Sequence, residues 1–219
     1  MHNPSRVVPA ILTDDPGALA DMLYQAEEFA DYLQIDIMDG VFVSSSSISP
    51  KQLAKLSIKA AWEVHLMANN PQDYLEDFKN AGAERVIFHL EATKQPFEVF
   101  KLADNIGLPV GLAINPNTPI SAVLPFSDIL DSLLFLSVNP GFYGSMFIPE
   151  VLDKIMQFRC VCPYVETGID GGVKEGNIAM AAQIGVNYIC VGSAIFSQID
   201  PAASYSRLSE LVAEASASL

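Results

Sequence analysis

Eight short apolar runs recur along the 219-residue chain, and segments of a different periodicity separate them. The runs are rich in Val, Ile and Leu, which favours buried β-strands. We predict strands at 7–12, 32–38, 62–67, 85–90, 109–114, 133–138, 164–169 and 188–191. This repetition restricts the fold more than any other feature of the sequence.

The segments between the runs are predicted helices. Apolar residues recur in them at spacings of three and four, as in PGALADMLYQAEEFA and PEVLDKIMQF, and the last segment, PAASYSRLSELVAEA, reads as an eighth helix. Three segments end at Gly82, Gly107 and Gly185, which suits a left-handed C-cap. Alternating strands and helices predict parallel pairing through right-handed crossovers, with both faces of the sheet covered.

We therefore predict an α/β fold, a (β/α)8 TIM barrel that occupies residues 1–219 as one domain. The competing layout is a doubly wound open sheet. No G-x-G-x-x-G or G-x-x-x-x-G-K-[ST] motif follows the first predicted strand, which counts against that layout.

Composition narrows the classes of partner. Half of the residues are hydrophobic, enough for a sizeable core, and 26 acidic against 12 basic residues give a net charge of −14. This charge argues against non-specific binding to nucleic acid or to an anionic membrane. The three cysteines are an odd number, which predicts a reducing compartment, and we expect them to be packing residues. With no signal-peptide pattern at the N-terminus, we expect a soluble cytoplasmic protein.

Polar side chains close several predicted strands, and active sites of TIM barrels lie at those ends. They are Asp36, His65, His89, Asn115, Asn139 and Asp170. Two carboxylates facing one cavity can take a proton from a carbon acid and return one to its opposite face. A single Asp at a strand end is as commonly a turn former, the role we expect for Asp39, and a single buried His is more commonly a core residue than a ligand.

Strand periodicity singles out Asp36. Leu33 and Ile35 alternate with Gln34 and Asp36, which places the amide and the carboxylate on one face of the strand. A buried carboxylate without a partner is costly, so this position predicts a metal, a cation or a catalytic role.

Glycine-rich segments follow the last three predicted strands. They are NPGFYGS at 139–145, DGG at 170–172 and GS at 192–193. Loops in these positions of a TIM barrel commonly hold a phosphate on backbone N–H groups, although any one glycine could simply permit a tight turn. The three together predict an anion site that does not depend on the overall charge.

The chain resembles the ribulose-phosphate 3-epimerase family over nearly its whole length. The segments that carry the resemblance include QIDIMDGVFV, EVHLMANNPQDYL, GLAINPNTP, LSVNPGFYGSMFIPEVLDKI, IDGGVKEGNI and VGSAIF. The resemblance implies a ribulose-phosphate-binding (β/α)8 barrel that interconverts D-ribulose 5-phosphate and D-xylulose 5-phosphate, with a divalent metal in the site and a homo-oligomeric assembly. It implies that Asp36 and Asp170 are the acid/base pair and that both, with His65, are metal ligands.

Together with the glycine-rich loops, the resemblance implies further site residues. The substrate and phosphate contacts expected are His65, Gly141, Phe142, Tyr143, Gly144, Gly171, Gly172, Gly192 and Ser193. The residues expected to line the pocket are Ala10, Met38, Met67 and Leu136. The metal is a divalent ion among Zn, Fe, Mn, Co and Mg, which the sequence does not separate.

The chain departs from the family pattern around this site. Gln34 stands where the family has a histidine, and a neutral amide oxygen is a weaker ligand than imidazole for zinc or iron. Ala10 stands for a serine, and Leu136 for a methionine. Tyr143, Gly144 and Ser145 stand for glycine-glycine-glutamine, and Ser44 and Ser45 for proline-asparagine.

Three hypotheses follow. The first is an epimerase of ribulose 5-phosphate or of a six-carbon relative such as allulose 6-phosphate. The second is a metal-depleted barrel that binds a sugar phosphate without catalysis. The third, a decarboxylase or aldol-type synthase, is disfavoured because strand two reads Asp-Ile-Met-Asp with no lysine.

Overall fold

Eight parallel strands close into a barrel in the order of the chain, with β1 paired to both β2 and β8. The structure, a computed structural model, describes residues 5–140 and 146–217. The strands are β1 Arg6–Ile11, β2 Tyr32–Met38, β3 Ala61–Met67, β4 Arg85–His89, β5 Val110–Ile114, β6 Ser132–Leu136, β7 Glu166–Asp170 and β8 Tyr188–Val191. The predicted (β/α)8 architecture is confirmed.

Helices surround the barrel. They are α1 Pro16–Ala26, α2 Pro50–Leu53, α3 Leu75–Ala81, α4 Pro96–Ile106, α5 Glu150–Val161, α6 Glu175–Gln183, α7 Ser193–Phe196 and α8 Pro201–Ser216. Asp15 caps α1 by accepting from the N–H groups of Gly17 and Ala18, and Gly82 and Gly107 end α3 and α4 in the left-handed conformation. Among the described residues, no helix is both long and apolar enough to cross a bilayer.

Two elements differ from the regular repeat. Between β5 and β6 the chain forms only the 3-10 turns Ile120–Ala122 and Leu124–Ile129, because prolines at 116, 119 and 125 disfavour an α-helix there. Strand β7 begins at Glu166, two residues after the predicted start, since Tyr164 is fully exposed in the turn that follows α5.

The large apolar core lies between the strands and the helices, and a smaller one fills the barrel. Strand register arranges the side chains inside the barrel in layers. Near the carboxyl ends of the strands, Asp36 pairs with His65, and Asp170 pairs with both Leu136 and Cys190. The register therefore assembles residues from several strands at one mouth.

Charged and aromatic side chains close the opposite, amino-terminal end, which we call the barrel floor (Arg6, Tyr32, Glu63, Arg85, Glu166 and Tyr188). Glu63 Oε2 accepts from Arg85 Nε at 2.8 Å and from Tyr32 Oη at 3.0 Å. Arg85 Nη1 donates across the barrel to Glu166 Oε2 at 2.6 Å. The buried Tyr188 ring fills the space beside Gly168, where an added Cβ would lie 2.2 Å from the ring.

Candidate active site

The mouth of the barrel forms a cavity lined by residues from several strand ends and the loops that follow them. Asp36, His65 and Asp170 all line it, and each is buried, with at most 8% of its surface exposed. Strand-end side chains of parallel strands meet at one edge, so this convergence follows from the fold.

The two aspartates face the same donors. His65 Nδ1 lies 3.0 Å from Asp36 Oδ1 and 3.2 Å from Asp170 Oδ2. Gln34 Nε2 donates to the same two oxygens, at 2.9 Å and 3.0 Å. Residues 134 positions apart in the sequence thus share one polar cluster, with Gln34 and Asp36 on one face of β2 as their alternation predicts.

Burial and proximity shift the protonation equilibria of this cluster. Burial, followed by the nearby Asp170 carboxylate, raises the pKa of Asp36 to about 6. Burial alone would lower the pKa of His65, but hydrogen bonds and charge from Asp170 and Asp36 outweigh it and raise that pKa to about 10. A positive charge between the carboxylates is therefore favoured.

Three of these residues have the donor set of a metal site. Ligand atoms of Asp36, His65 and Asp170 all lie within 4.8 Å of one another. Two carboxylates and one imidazole suit a first-row divalent ion and leave coordination positions open for other oxygen atoms. The residues present therefore fit a divalent metal.

Gln34 contributes differently. Its amide nitrogen faces the carboxylates, and its Oε1 accepts from Cys190 Sγ at 3.0 Å. Cys190 also lines the cavity, so it does more than the packing expected of it. Burial raises the pKa of its thiol, which keeps the S–H available as a donor.

Behind His65 lie two residues whose role sequence reasoning missed. His65 Nε2 lies 3.0 Å from His89 Nε2, and His89 Nδ1 lies 3.3 Å from Glu91 Oε2. Burial lowers the pKa of His89 to about 4. Despite partial burial, hydrogen bonds from His89, Thr118 and the Asn115 backbone lower the pKa of Glu91 to about 2. The sequence HLE at 89–91 places a histidine and a glutamate at the end of β4, but it does not indicate that they would contact each other and His65.

The other residues expected to contact the substrate or to line the pocket fall into two groups, and Asn115 and Asn139 do not line the cavity. Eight of them line the same cavity: Ala10, Met38, Met67, Leu136, Gly171, Gly172, Gly192 and Ser193. Gly141, Phe142, Tyr143 and Gly144 lie outside the described residues. The expected turn role of Asp39 agrees with its contacts, since its Oδ1 accepts from the N–H groups of Val41 and Phe42.

The turn after Asp170 is closely packed. Ser137 Oγ donates to the backbone oxygens of Asp170, at 2.9 Å, and Gly171, at 2.6 Å. Gly171 has φ +109°, and a Cβ there would lie 2.4 Å from Val138 Cγ2. Only glycine fits this position, which fixes the direction in which the chain leaves β7.

Comparison with known proteins gives a consistent result. The model of the ribulose-phosphate 3 epimerase family matches residues 6–196. Ribulose-phosphate 3-epimerase of Mycobacterium bovis is 37% identical over 211 residues, covering 92% of this chain and 90% of that protein. The enzyme of the same name from Synechocystis sp. is 36% identical, with 87% of each chain covered.

Two solved structures share the fold at low sequence identity. KGPDC from Streptococcus mutans aligns with a TM-score of 0.71 at 10% identity, covering 97% of this chain and 99% of that one. The 3-hexulose-6-phosphate synthase of Salmonella typhimurium aligns with a TM-score of 0.72 at 14% identity, covering 96% and 99%. At these identities the likeness concerns the fold alone.

Proposed function

Since the chain belongs to the ribulose-phosphate 3-epimerase family, we propose that it inverts C3 of a phosphorylated ketose, with D-ribulose 5-phosphate and D-xylulose 5-phosphate as the pair. The observation that carries this proposal is the convergence of Asp36 and Asp170 on one cavity, with oxygens that share both the His65 and the Gln34 donors. Inversion of a carbon requires one group that removes a proton from one face and another that delivers a proton to the opposite face, and two carboxylates beside one bound substrate can do this.

The reaction uses one proton on the pair. The ionised carboxylate removes the C3 proton, which leaves an enediolate, and the protonated carboxylate delivers its proton to the opposite face of C3. The pKa of Asp36, raised to about 6 mainly by burial, lets this group hold or release a proton near neutral pH. After one turnover the two carboxylates have exchanged protonation states.

Asp36, His65 and Asp170 would hold a divalent metal, whose charge, when bound, stabilises the negative oxygens of the enediolate. Binding requires His65 Nδ1 to lose its proton, so metal affinity should rise with pH. Gln34, oriented by the Cys190 thiol, is a fourth polar group at the same place. Its amide nitrogen keeps the carboxylates at a fixed spacing by bonding to both.

Backbone groups of the loops after β7 and β8 are proposed to bind the phosphate. Gly171, Gly172, Gly192 and Ser193 lie at the same cavity as the carboxylates. Glycines let an anion approach the peptide N–H groups closely, which matters in a chain with a net charge of −14.

The setting of this activity is also proposed. Three free cysteines suit the reducing cytoplasm, and residues 1–219 would form one domain. A homo-oligomer is proposed as well, and the exposed apolar residues Met156, Val161 and Tyr164 are candidates for its interface. Light scattering on the purified protein would determine its oligomeric state.

The test is to follow ribulose 5-phosphate in D2O by NMR, with allulose 6-phosphate in parallel, after chelation and after addition of Mn²⁺ or Zn²⁺. We expect deuterium at C3 together with net conversion. Asp36→Asn and Asp170→Asn should each lower kcat at least about 100-fold. Any residual exchange should be confined to one epimer, and to the opposite epimer in the other variant.

Asp104→Asn, an exposed change in the last turn of α4, is the matched control and should leave the rate unchanged. Net epimerisation at the wild-type rate in either catalytic-site variant would refute the assignment of the pair. Binding of ketose phosphates without exchange in the wild-type protein would favour a binding protein without catalysis.

A further inference from the structure

His65 uses both of its ring nitrogens. Nδ1 faces Asp36 and Asp170, and Nε2 lies 3.0 Å from Nε2 of His89. Two ring nitrogens at this distance share one proton, so one is the donor and the other accepts. Which one donates determines where the lone pair of a neutral His65 lies.

The contacts of Glu91 determine which of the two ring nitrogens donates. Its Oε1 accepts from the backbone N–H of Asn115 at 2.8 Å and from the hydroxyl of Thr118. Its Oε2 faces His89 Nδ1 at 3.3 Å. An ionised carboxylate only accepts, so His89 Nδ1 must carry the proton.

The tautomer of His89 in turn determines the tautomer of His65. His89 is fully buried, where a neutral ring with a single proton is favoured. With that proton on Nδ1, Nε2 of His89 is an acceptor, and Nε2 of His65 must donate to it. The proton that His65 can release is therefore the one on Nδ1, between the two aspartates.

We propose that Glu91 and His89 are positioning residues that fix the tautomer of His65, so that its Nδ1 lone pair is directed into the gap between Asp36 and Asp170. The inference rests on the proposed function, because that gap is where the divalent metal would bind. A histidine ligand is commonly oriented by a partner at its other ring nitrogen, and loss of such a partner typically costs 10- to 100-fold in metal affinity.

A helix outside the barrel supports the hydrogen-bonded series Glu91, His89 and His65, which we call the relay. Lys154, on α5, donates to the backbone oxygens of Asn115 at 3.2 Å, Thr118 at 2.8 Å, and Pro116. These contacts hold the loop whose N–H and hydroxyl groups bind Glu91. The orientation of His65 is thus connected to a helix outside the barrel.

Imidazole ¹⁵N NMR tests the relay directly, since the chain has only three histidines. In the wild-type protein we expect His89 to be protonated at Nδ1 and not at Nε2, and His65 to be protonated at Nε2. Glu91→Gln should reverse the His89 tautomer. In this variant the backbone N–H of Asn115 should hold the oxygen of the new side-chain amide at position 91. The NH2 group of that amide then faces His89 Nδ1 and can only donate to it, so Nδ1 must accept.

The same variant should bind Zn²⁺ 10- to 100-fold more weakly in a chelator competition titration. Glu98→Gln, an exposed change on α4, is the control and should alter neither readout. Circular dichroism and a urea unfolding curve establish that each variant is folded. If Glu91→Gln does not fold, the wild-type spectrum decides.

A wild-type His89 protonated at Nε2 would overturn the proposal without any variant. Unchanged tautomers and Zn²⁺ affinity in a folded Glu91→Gln protein would overturn it as well. Predicted tautomers in a wild-type protein that binds no Zn²⁺ would support the relay and remove the metal from the proposed function.

Discussion

Replacing Arg85 by methionine should destabilise the protein strongly, because it leaves a charge without its partner inside the barrel floor. Glu63 has no exposed side-chain surface, and its Oε2 receives both Arg85 Nε, at 2.8 Å, and Arg85 Nη2, at 2.5 Å. Removing one partner of a buried pair costs about 3–5 kcal/mol. For a chain of this size, that corresponds to a fall of roughly 6–20 °C in Tm.

The loss should depend on pH. Burial already raises the pKa of Glu63, and Arg85 opposes that shift, so Arg85→Met should raise the folded-state pKa further. The folded variant then binds more protons than the unfolded chain between the unfolded and folded pKa values of Glu63. Its free energy of unfolding therefore falls as pH rises through that window. Urea unfolding at pH 5 and pH 8 should show the larger deficit at pH 8.

Two further variants make the test specific. Glu63→Leu combined with Arg85→Met should recover much of the lost stability, because it removes both buried charges. Arg207→Met breaks an exposed pair with Glu210, whose atoms are 3.7 Å apart, and should change stability by no more than about 0.5 kcal/mol. A loss below about 1 kcal/mol in Arg85→Met, or one without pH dependence, would refute this reasoning.

Two other changes test the mouth of the barrel. Gln34→His should raise Zn²⁺ affinity at least about tenfold in a chelator competition titration, since imidazole is a better ligand than an amide, and equal affinity would contradict this view of Gln34. Gly171→Ala should lower the free energy of unfolding in urea by about 1–3 kcal/mol, because position 171 has a φ of +109° and a Cβ there would collide with Val138. It should also lower kcat by displacing Asp170. A variant as stable and active as wild type would contradict that account.

The architecture and three site residues were accessible from the sequence for a physical reason. Eight apolar runs separated by helical segments are a local pattern, and parallel pairing brings every strand end to one of two rims. The sequence alone could therefore place Asp36, His65 and Asp170 at one mouth of the barrel. Gln34 could be placed beside Asp36 because strand side chains alternate.

The contacts behind the mouth were less accessible. His89 looked like an ordinary core histidine, since nothing local indicates that its Nε2 would face that of His65. The amide direction of Gln34 depends on Cys190, which is 156 positions away. Tyr164 and Val165 have strand-forming side chains, yet β7 begins only at Glu166, where pairing with Ser132 starts. Each miss concerns a long-range contact, which periodicity does not encode.

The barrel floor bears on the end from which a substrate can reach the aspartates. Arg85 donates across the barrel to Glu166, and the Tyr188 ring occupies the space beside Gly168, so these side chains fill the amino-terminal end of the barrel. We therefore expect the sugar to reach Asp36 and Asp170 through the opposite rim, whose cavity these residues line. Because a bound ketose would lie between these carboxylates and the solvent, we expect the pair to exchange protons with water after the ketose has left.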